Sequence, residues 1–198
     1  MRRVVIGIDE VGRGALAGPV VLSAVRTEAP VRWVHPKLGP IRDSKKLTAR
    51  ARQLWFDYLT RHPALVWRVS WTSPALIDRV NIARAADRAA CRLARRLMPA
   101  GACFVWLDGG LRLPADIPHE AVIKGDERIP IVAAASIIAK VWRDRLMVRH
   151  AARFPVYGFD EHKGYGTRFH REQLRLHGPS VLHRRSFITR LIEARVRS

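Results

Sequence analysis

The chain has 198 residues, is 48% apolar and carries a formal net charge of +19. It contains no apolar run of the roughly 18 residues that a membrane span needs, and its first residues lead into a strand pattern rather than into a signal peptide. We therefore expect a cytoplasmic protein with one domain over residues 1–198 and no membrane contact. The positive charge favours a polyanionic partner, of which nucleic acid is the first to consider.

The first predicted element is a strand over residues 4–8, a β-branched and almost wholly apolar segment typical of a strand buried on both faces. A break at Gly18-Pro19 precedes a second predicted strand over residues 20–25. The two strands are close enough in sequence to form an antiparallel hairpin. Residues 30–44 are expected to form a loop.

A helix is predicted over residues 49–61, with Ser44 or Thr48 as its N-terminal cap. Residues 65–71 are rich in β-branched and aromatic side chains in an alternating pattern, which predicts a third strand. Ser73-Pro74 then opens a helical segment that continues to residue 98, with an interruption near Asn81 as an alternative.

The second half of the chain begins with a fourth predicted strand over residues 103–107 and a short fifth over residues 121–123. Pro130 opens a long alanine-rich helix that reaches about residue 153. A glycine-punctuated loop over residues 162–167, short helical segments and a basic tail complete the predicted order.

Strands that alternate with helices, after an antiparallel hairpin, predict an α/β domain with a mixed five-stranded sheet flanked by helices. Residues 155–198 are expected to form a C-terminal loop and helical extension of that domain. In such sheets, sites form at the carboxyl ends of the strands.

Carboxylates stand at or just beyond three of these predicted strand ends. Asp9 and Glu10 follow the first strand, and we expect one of the two to point inward because neighbouring side chains leave a strand on opposite faces. An ionised Asp9 beside a buried strand is costly unless a cation accompanies it. Asp108 ends the fourth strand pattern, and Asp126 follows the fifth.

These carboxylates have the chemistry of a site for hard divalent cations, which prefer oxygen ligands. Two ions about 3.5–4 Å apart can activate a water on one side of a phosphodiester and stabilise the leaving oxygen on the other. The pattern therefore predicts hydrolysis of a nucleic-acid backbone. Taken singly, Asp108 is also compatible with a turn, and Asp126 with a favourable position at a helix N-terminus. The candidate ligands are Asp9, Glu10, Asp108 and Asp126.

Seven segments, in one order along the chain, resemble the type 2 ribonuclease H family and specifically bacterial ribonuclease HII. The first contains Asp-Glu-Val-Gly-Arg-Gly and the sixth His-Lys-Gly-Tyr-Gly-Thr. The segments are residues 9–20, 43–47, 124–126, 133–141, 143–144, 162–167 and 183–187.

The resemblance implies a ribonuclease H-like fold and an endonuclease that uses two Mg²⁺ or Mn²⁺ ions. Its implied substrates are RNA–DNA hybrids, whose RNA strand is cut, and duplex DNA with a single embedded ribonucleotide. The latter is nicked on the 5′ side of the ribonucleotide, which leaves a 3′-hydroxyl and a 5′-phosphate. We expect the active protein to be a monomer.

Carried over by position, the resemblance makes Asp9, Glu10, Asp108 and Asp126 the metal ligands. It makes Gly12, Arg13 and Gly14 the element that senses the ribose 2′-hydroxyl, the group that separates RNA from DNA. Tyr165 corresponds to a tyrosine that packs on the sugar next to the ribonucleotide and tests for a deoxyribose there, with a core or loop-anchoring aromatic as the alternative.

The remaining candidates are polar residues outside the carboxylate set. Lys45, Lys46 and Lys163 are predicted phosphate contacts, with solvated lysines as the alternative. Ser136 is included as a candidate substrate contact, although its place on the alanine-rich helix is also explained by packing. Asp144 is interpreted as an ion-pair partner on the helix surface, with support of the metal ligands as the alternative.

One departure from the family pattern lies at Gly110, where bacterial relatives often have Asn, so a local hydrogen bond is expected to be missing. A different class of function also fits the charge of +19: a non-catalytic, basic nucleic-acid-binding protein on the same scaffold.

Overall fold

The structure is a computed structural model that describes residues 4–189. The predicted basic tail, and with it the end of the predicted C-terminal extension (residues 190–198), lies outside the described residues. The strands are β1 (Val4–Val11), β2 (Val20–Thr27), β3 (Val34–His35), β4 (Gly39–Pro40), β5 (Leu65–Thr72), β6 (Cys103–Asp108) and β7 (His119–Val122). The helices are α1 (Ala49–Arg61), α2 (Pro74–Val80), α3 (Ile82–Leu97), α4 (Gly125–Arg128), α5 (Pro130–Arg153), α6 (Phe159–His162) and α7 (Arg168–His177).

Five strands form one mixed sheet in the order β5-β2-β1-β6-β7. The central strand β1 is antiparallel to β2 and parallel to β6, with Ile8 opposite Leu107. The predicted α/β fold with a mixed five-stranded sheet is confirmed. Because β1 and β6 are parallel, their carboxyl ends meet at the same edge of the sheet, beside Asp9 and Asp108.

Helices cover both faces of the sheet, as predicted. On one face α3 packs against side chains such as Ile6, Ile8 and Leu22. On the other face α1 and α5 bury Val25, Trp55 and their neighbours. Burial of these two apolar layers at about 25 cal/mol per Å² is the main force that fixes the sheet edge carrying the carboxylates.

The close approach of α5 to β1 depends on Gly7, which lies in the middle of the strand. A Cβ atom at this position would stand 2.6 Å from the backbone carbonyl carbon of Ile131, at the start of α5. A larger residue would push the helix away from the sheet. We infer that Gly7 sets the depth at which α5 passes beneath the end of β1.

Helix boundaries follow the caps that the sequence offers. Thr48, not Ser44, caps α1, because its side chain accepts a hydrogen bond from the amide of Ala51 at 3.2 Å. Ser44 instead begins a 3₁₀ turn, Ser44–Lys46. Pro130 occupies the first position of α5, where its missing N–H costs nothing.

Two expectations on local structure were wrong. Strand β1 continues past residue 8 to Val11, because its pairing with β2 runs to Val11 opposite Val21. The predicted loop over residues 30–44 contains the small hairpin of β3 and β4. Asp126 lies in the first turn of the short helix α4.

The C-terminal part of the described chain packs against the end of α5. Tyr157 and Phe159 form a small apolar cluster there with Ala17 and Met147. The segment that carries Tyr165 is thereby placed beside the β1–β2 connection. No helix in the described residues is long and apolar enough to cross a bilayer.

Candidate active site

Asp9 and Glu10 are consecutive residues near the end of β1, and both side chains are buried. Asp9 is 4% exposed, and the side chain of Glu10 is 8% exposed. We expected one of the two side chains to point inward, and the structure buries both. Glu10 is covered because the Arg13 guanidinium donates to its Oε1 at 3.0 Å and to the Gly110 carbonyl at 2.8 Å.

Asp108 completes a three-carboxylate cluster with these two residues. One ligand oxygen from each of Asp9, Glu10 and Asp108 lies within 4.8 Å of the other two. Asp108 is the last residue of β6, and its Oδ1 accepts a hydrogen bond from the Gly125 amide at 2.8 Å. The parallel pairing of β1 and β6 therefore brings together side chains that are about a hundred residues apart in sequence.

The electrostatics of the cluster favour a cation. Burial and the neighbouring charges of Glu10 and Asp108 raise the pKa of Asp9 well above its ordinary value, against the opposing effect of a hydrogen bond from Ser136. Burial also raises the pKa of Glu10, although Arg13 partly offsets the effect. Bringing like charges together in a buried place is costly, and a divalent cation removes that cost.

One oxygen of the cluster lacks a partner altogether. Glu10 Oε2 is buried and accepts no hydrogen bond from any of the described residues. An unpaired buried carboxylate oxygen is rare, because its lost hydration is not replaced. Three oxygen donors with one orphaned atom fit a hard cation such as Mg²⁺ or Mn²⁺.

Asp126 lies near this group without being part of it. Among the described residues, only Asp9, Glu10 and Asp108 meet within 4.8 Å. Asp126 is 5% exposed and binds the Lys45 ammonium at 3.1 Å. The amide of the neighbouring Gly125 donates a hydrogen bond to Asp108, so α4 connects Asp126 to the cluster indirectly.

The Gly12-Arg13-Gly14 turn directly follows β1. Gly14 is exposed and has open space around its Cα, as a backbone contact with a sugar requires. Gly12 serves another purpose: its φ is +84°, and a Cβ there would lie 2.1 Å from Arg143 Nε. Any other residue at position 12 would be strained and would displace a buried arginine.

Tyr165 lies beside this turn on the loop between α6 and α7. Its ring stands over the Arg143 guanidinium, with 5.3 Å between the ring centroid and Cζ, and 5.8 Å from Lys140 Nζ. The loop is joined to the turn by the Leu16 amide, which donates to the Gly164 carbonyl at 2.9 Å. The predicted sugar-packing residue is therefore placed near the predicted 2′-hydroxyl sensor.

Ser136 and the predicted phosphate-binding lysines all have partners within the protein. Ser136 is 4% exposed, its hydroxyl lies 2.9 Å from that of Ser44, and its side chain opposes the rise in the pKa of Asp9. Lys46 Nζ donates to Glu127 at 2.6 Å. Lys163 Nζ donates to the Asp160 carbonyl. The role of the lysines in phosphate binding stays a prediction.

Asp144 makes the ion pair that was expected of it, with Lys140 at 2.9 Å. At Gly110, a Cβ atom would lie 2.5 Å from Arg13 Nη1. The absence of a side chain at position 110 therefore makes room for the Arg13 guanidinium, which bonds to the backbone at the same residue.

Sequence reasoning missed two residues of this region, Arg143 and Arg184. Both are fully buried at 0% exposure, and both donate to backbone carbonyls around the turn. They occur within segments of the family resemblance, which was the one available signal. With 36 lysines and arginines in the chain, charge alone does not reveal which of them are buried.

A chain of neutral histidines supports the Tyr165 loop. The Ser180 amide donates to His183 Nδ1 at 3.0 Å, so His183 Nε2 carries the proton that it shares with His170 Nε2 at 3.1 Å. His170 Nδ1 then donates to the Tyr165 carbonyl at 2.9 Å. Each ring is held in one neutral tautomer; protonation of His170 at Nε2 would break the link between the rings, and protonation of His183 at Nδ1 would break the bond from the Ser180 amide.

This histidine chain predicts acid sensitivity. Burial lowers the pKa of both His170 and His183 from 6.5 to about 4. The unfolded chain takes up these protons below pH 6.5, whereas the folded protein takes them up only near pH 4. The free energy of unfolding should therefore fall between these pH values, by on the order of 1–3 kcal/mol.

Thermal unfolding of three proteins at pH 7 and pH 4.5 checks this expectation. His170→Gln should lose clearly less stability on acidification than the wild type, even though it starts from a lower melting temperature. His177→Gln, which changes an exposed histidine, should lose as much as the wild type. Equal losses in all three proteins would contradict the assignment.

Three comparisons place this architecture among known proteins. Residues 6–190 match the sequence profile described as ribonuclease HII. The chain is 44% identical to ribonuclease HII of Pelodictyon phaeoclathratiforme, over 92% of this chain and 88% of that protein. It is 46% identical to ribonuclease HII of Verminephrobacter eiseniae, over 92% and 84% of the two chains. It also resembles the solved ribonuclease HII of Archaeoglobus fulgidus, which was determined in a complex with PCNA. The TM-score is 0.72 and the sequence identity 28%, over 91% of this chain and 93% of that one.

Proposed function

Since the chain belongs to the ribonuclease HII family and is a ribonuclease H enzyme, we propose that it nicks duplex DNA on the 5′ side of single embedded ribonucleotides. It also cuts the RNA strand of RNA–DNA hybrids in this proposal, and both reactions leave a 3′-hydroxyl and a 5′-phosphate. The observation that carries the proposal is the carboxylate cluster of Asp9, Glu10 and Asp108, in which the first two side chains are buried, beside the exposed Gly14 backbone.

The carboxylates would hold the metal. Asp9, Glu10 and Asp108 supply the oxygen ligands, and Glu10 Oε2 has an unsatisfied acceptor to offer. Asp126 would join them after leaving the Lys45 ammonium, which now neutralises it. Two Mg²⁺ or Mn²⁺ ions held by these residues would supply activation of a water and stabilisation of the leaving oxygen of the phosphodiester.

The residues around the cluster hold the carboxylates in an arrangement suited to cation binding. Burial of Asp9 and Glu10 excludes bulk water, which strengthens their attraction for a divalent ion. The hydrogen bonds from Gly125 to Asp108 and from Arg13 to Glu10 hold the carboxylates in place. These three carboxylates then need little reorganisation on cation binding, whereas Asp126 has to exchange the Lys45 ammonium for the metal.

Recognition of the substrate would come from the two loops next to the cluster. The exposed backbone at Gly14 can approach a ribose 2′-hydroxyl, and the Tyr165 ring can pack on the adjoining sugar. The charge of +19 supplies attraction for the phosphates of the duplex, to which the lysines at positions 45, 46 and 163 would contribute. These contacts position the duplex without reading its sequence.

A nicking assay tests the proposal. We expect the protein to cut a duplex with one ribonucleotide when Mg²⁺ or Mn²⁺ is present, to stop when EDTA is added, and to leave an otherwise identical all-DNA duplex intact. Cleavage of the all-DNA duplex, or cleavage that persists in EDTA, would contradict it, as would failure to nick with either metal.

A further inference from the structure

Two fully buried arginines lie beneath the substrate-recognition loops, and both are 0% exposed. Within residues 4–189, no carboxylate oxygen comes within 4.0 Å of either guanidinium. A buried cation without a counter-ion is costly, and it is tolerated only when its donors are satisfied. Arg143 and Arg184 meet this requirement with carbonyl groups of the backbone.

All six of the hydrogen bonds recorded from these guanidiniums reach backbone carbonyls, and five of the six carbonyls lie in the β1–β2 connection. Arg184 donates to Gly12 at 2.6 Å, Arg13 at 2.8 Å and Gly18 at 3.0 Å. Arg143 donates to Ala17 at 3.2 Å, Pro19 at 3.0 Å and Lys163 at 2.8 Å.

Through its bonds to Ala17, Pro19 and Lys163, Arg143 connects the β1–β2 connection to the Tyr165 loop. Other contacts bring the two segments into direct backbone contact. A Cβ at Gly164 would lie 2.4 Å from the Ala17 carbonyl oxygen. The Tyr165 ring stands over the Arg143 guanidinium. The 2′-hydroxyl sensor and the sugar-packing tyrosine are therefore both held by the guanidinium groups of Arg143 and Arg184. Only arginine supplies such a planar set of donors.

We propose that Arg143 and Arg184 are positioning residues that fix the spacing between the Gly12–Gly14 turn and Tyr165. That spacing sets the preference for a ribonucleotide followed by a deoxyribonucleotide. The inference rests on the proposed function, because it assigns the two elements to two consecutive sugars. Recognition of both sugars at once requires the two elements to keep a fixed separation.

Arg184→Lys and Arg143→Lys test this inference, since lysine keeps the charge but has no fork to reach three carbonyls. The measurement is kcat and KM on a duplex with one ribonucleotide and on an RNA–DNA hybrid of the same length. Each variant should lower kcat on the single-ribonucleotide duplex by about 10-fold or more through misplacement of the scissile bond. KM should change little, and the preference for this duplex over the hybrid should fall to a similar extent as kcat.

Arg185→Lys is the matched control, because Arg185 is the exposed neighbour of Arg184, and it should keep the wild-type preference. Two outcomes would overturn the proposal: an unchanged preference in Arg184→Lys and Arg143→Lys, or equal losses on both substrates. The second outcome is what a merely structural role predicts.

Hydrogen exchange separates a failure of this inference from a failure of the proposed function. Arg184→Lys should speed exchange of the amides of Leu16 and Gly18, which donate to Gly164 and Leu182. Exchange at the Tyr165 amide should rise as well. A wild-type protein that nicks nothing would reject the proposed function, and unchanged exchange in the variant would independently reject the coupling of the two loops.

Discussion

Asp9→Asn should reduce cleavage of a single-ribonucleotide duplex by about 1,000-fold or more, or roughly 4 kcal/mol of transition-state stabilisation. The substitution keeps the size of the side chain and an oxygen that can accept the Glu10 amide, which now donates at 2.7 Å. It removes one of three charged ligands from the cluster. Affinity for the duplex, measured without metal, should stay close to that of the wild type.

The variant should also be at least as stable as the wild type in the absence of metal. Burial and the charges of Glu10 and Asp108 oppose ionisation of Asp9, so a neutral Asn at this position relieves a repulsion. Asp116→Asn is the control, since Asp116 is exposed and pairs only with Arg95 among the described residues, and it should cleave normally. A non-catalytic nucleic-acid-binding protein would have no cleavage to lose, and full activity in Asp9→Asn would contradict the assignment of the cluster.

Tyr165→Ala should lower kcat on the same duplex by about 10- to 100-fold, because the ring places the sugar next to the scissile bond. Duplex affinity should change by less than about threefold, since phosphate contacts supply most of it. The ring lies over Arg143 and Lys140, while the turn and the carboxylates are held by other contacts. Cleavage and binding measured on one preparation give both values.

Tyr165→Phe is the matched variant, because it keeps the ring and removes only the hydroxyl. It should retain most of the activity if packing on a sugar is the role of the residue. Equal losses of cleavage and affinity in Tyr165→Ala would instead assign Tyr165 to general binding or to anchoring of the loop.

The sheet could be predicted because its strands are short, apolar and bounded by clear breaks. The end of β1 could not, since Asp9 and Glu10 are poor strand residues and pairing with Ser23 and Leu22 of β2 keeps the chain extended there. Strand register depends on contacts between distant segments, and a local pattern does not contain them.

The carboxylate cluster was accessible from the sequence because two strand ends carry acidic residues, and parallel pairing brings such ends together. The place of Asp126 was not accessible, because its position depends on α4 and on the distant Lys45. The buried arginines were missed for a similar reason. Their burial results from the packing of α5 and the C-terminal segment against the β1–β2 connection, and a chain so rich in arginine gives no local sign of it.

The position and chemistry of the nick test the central claim most directly. A duplex with one ribonucleotide, labelled at either end and incubated with Mg²⁺ or Mn²⁺, should be cut on the 5′ side of the ribonucleotide to give a 3′-hydroxyl and a 5′-phosphate. These ends are expected when a water activated at the carboxylate cluster attacks the phosphodiester. A 2′,3′-cyclic phosphate with a 5′-hydroxyl would mean that the ribose 2′-hydroxyl is the nucleophile, and it would contradict the role assigned to Asp9, Glu10 and Asp108.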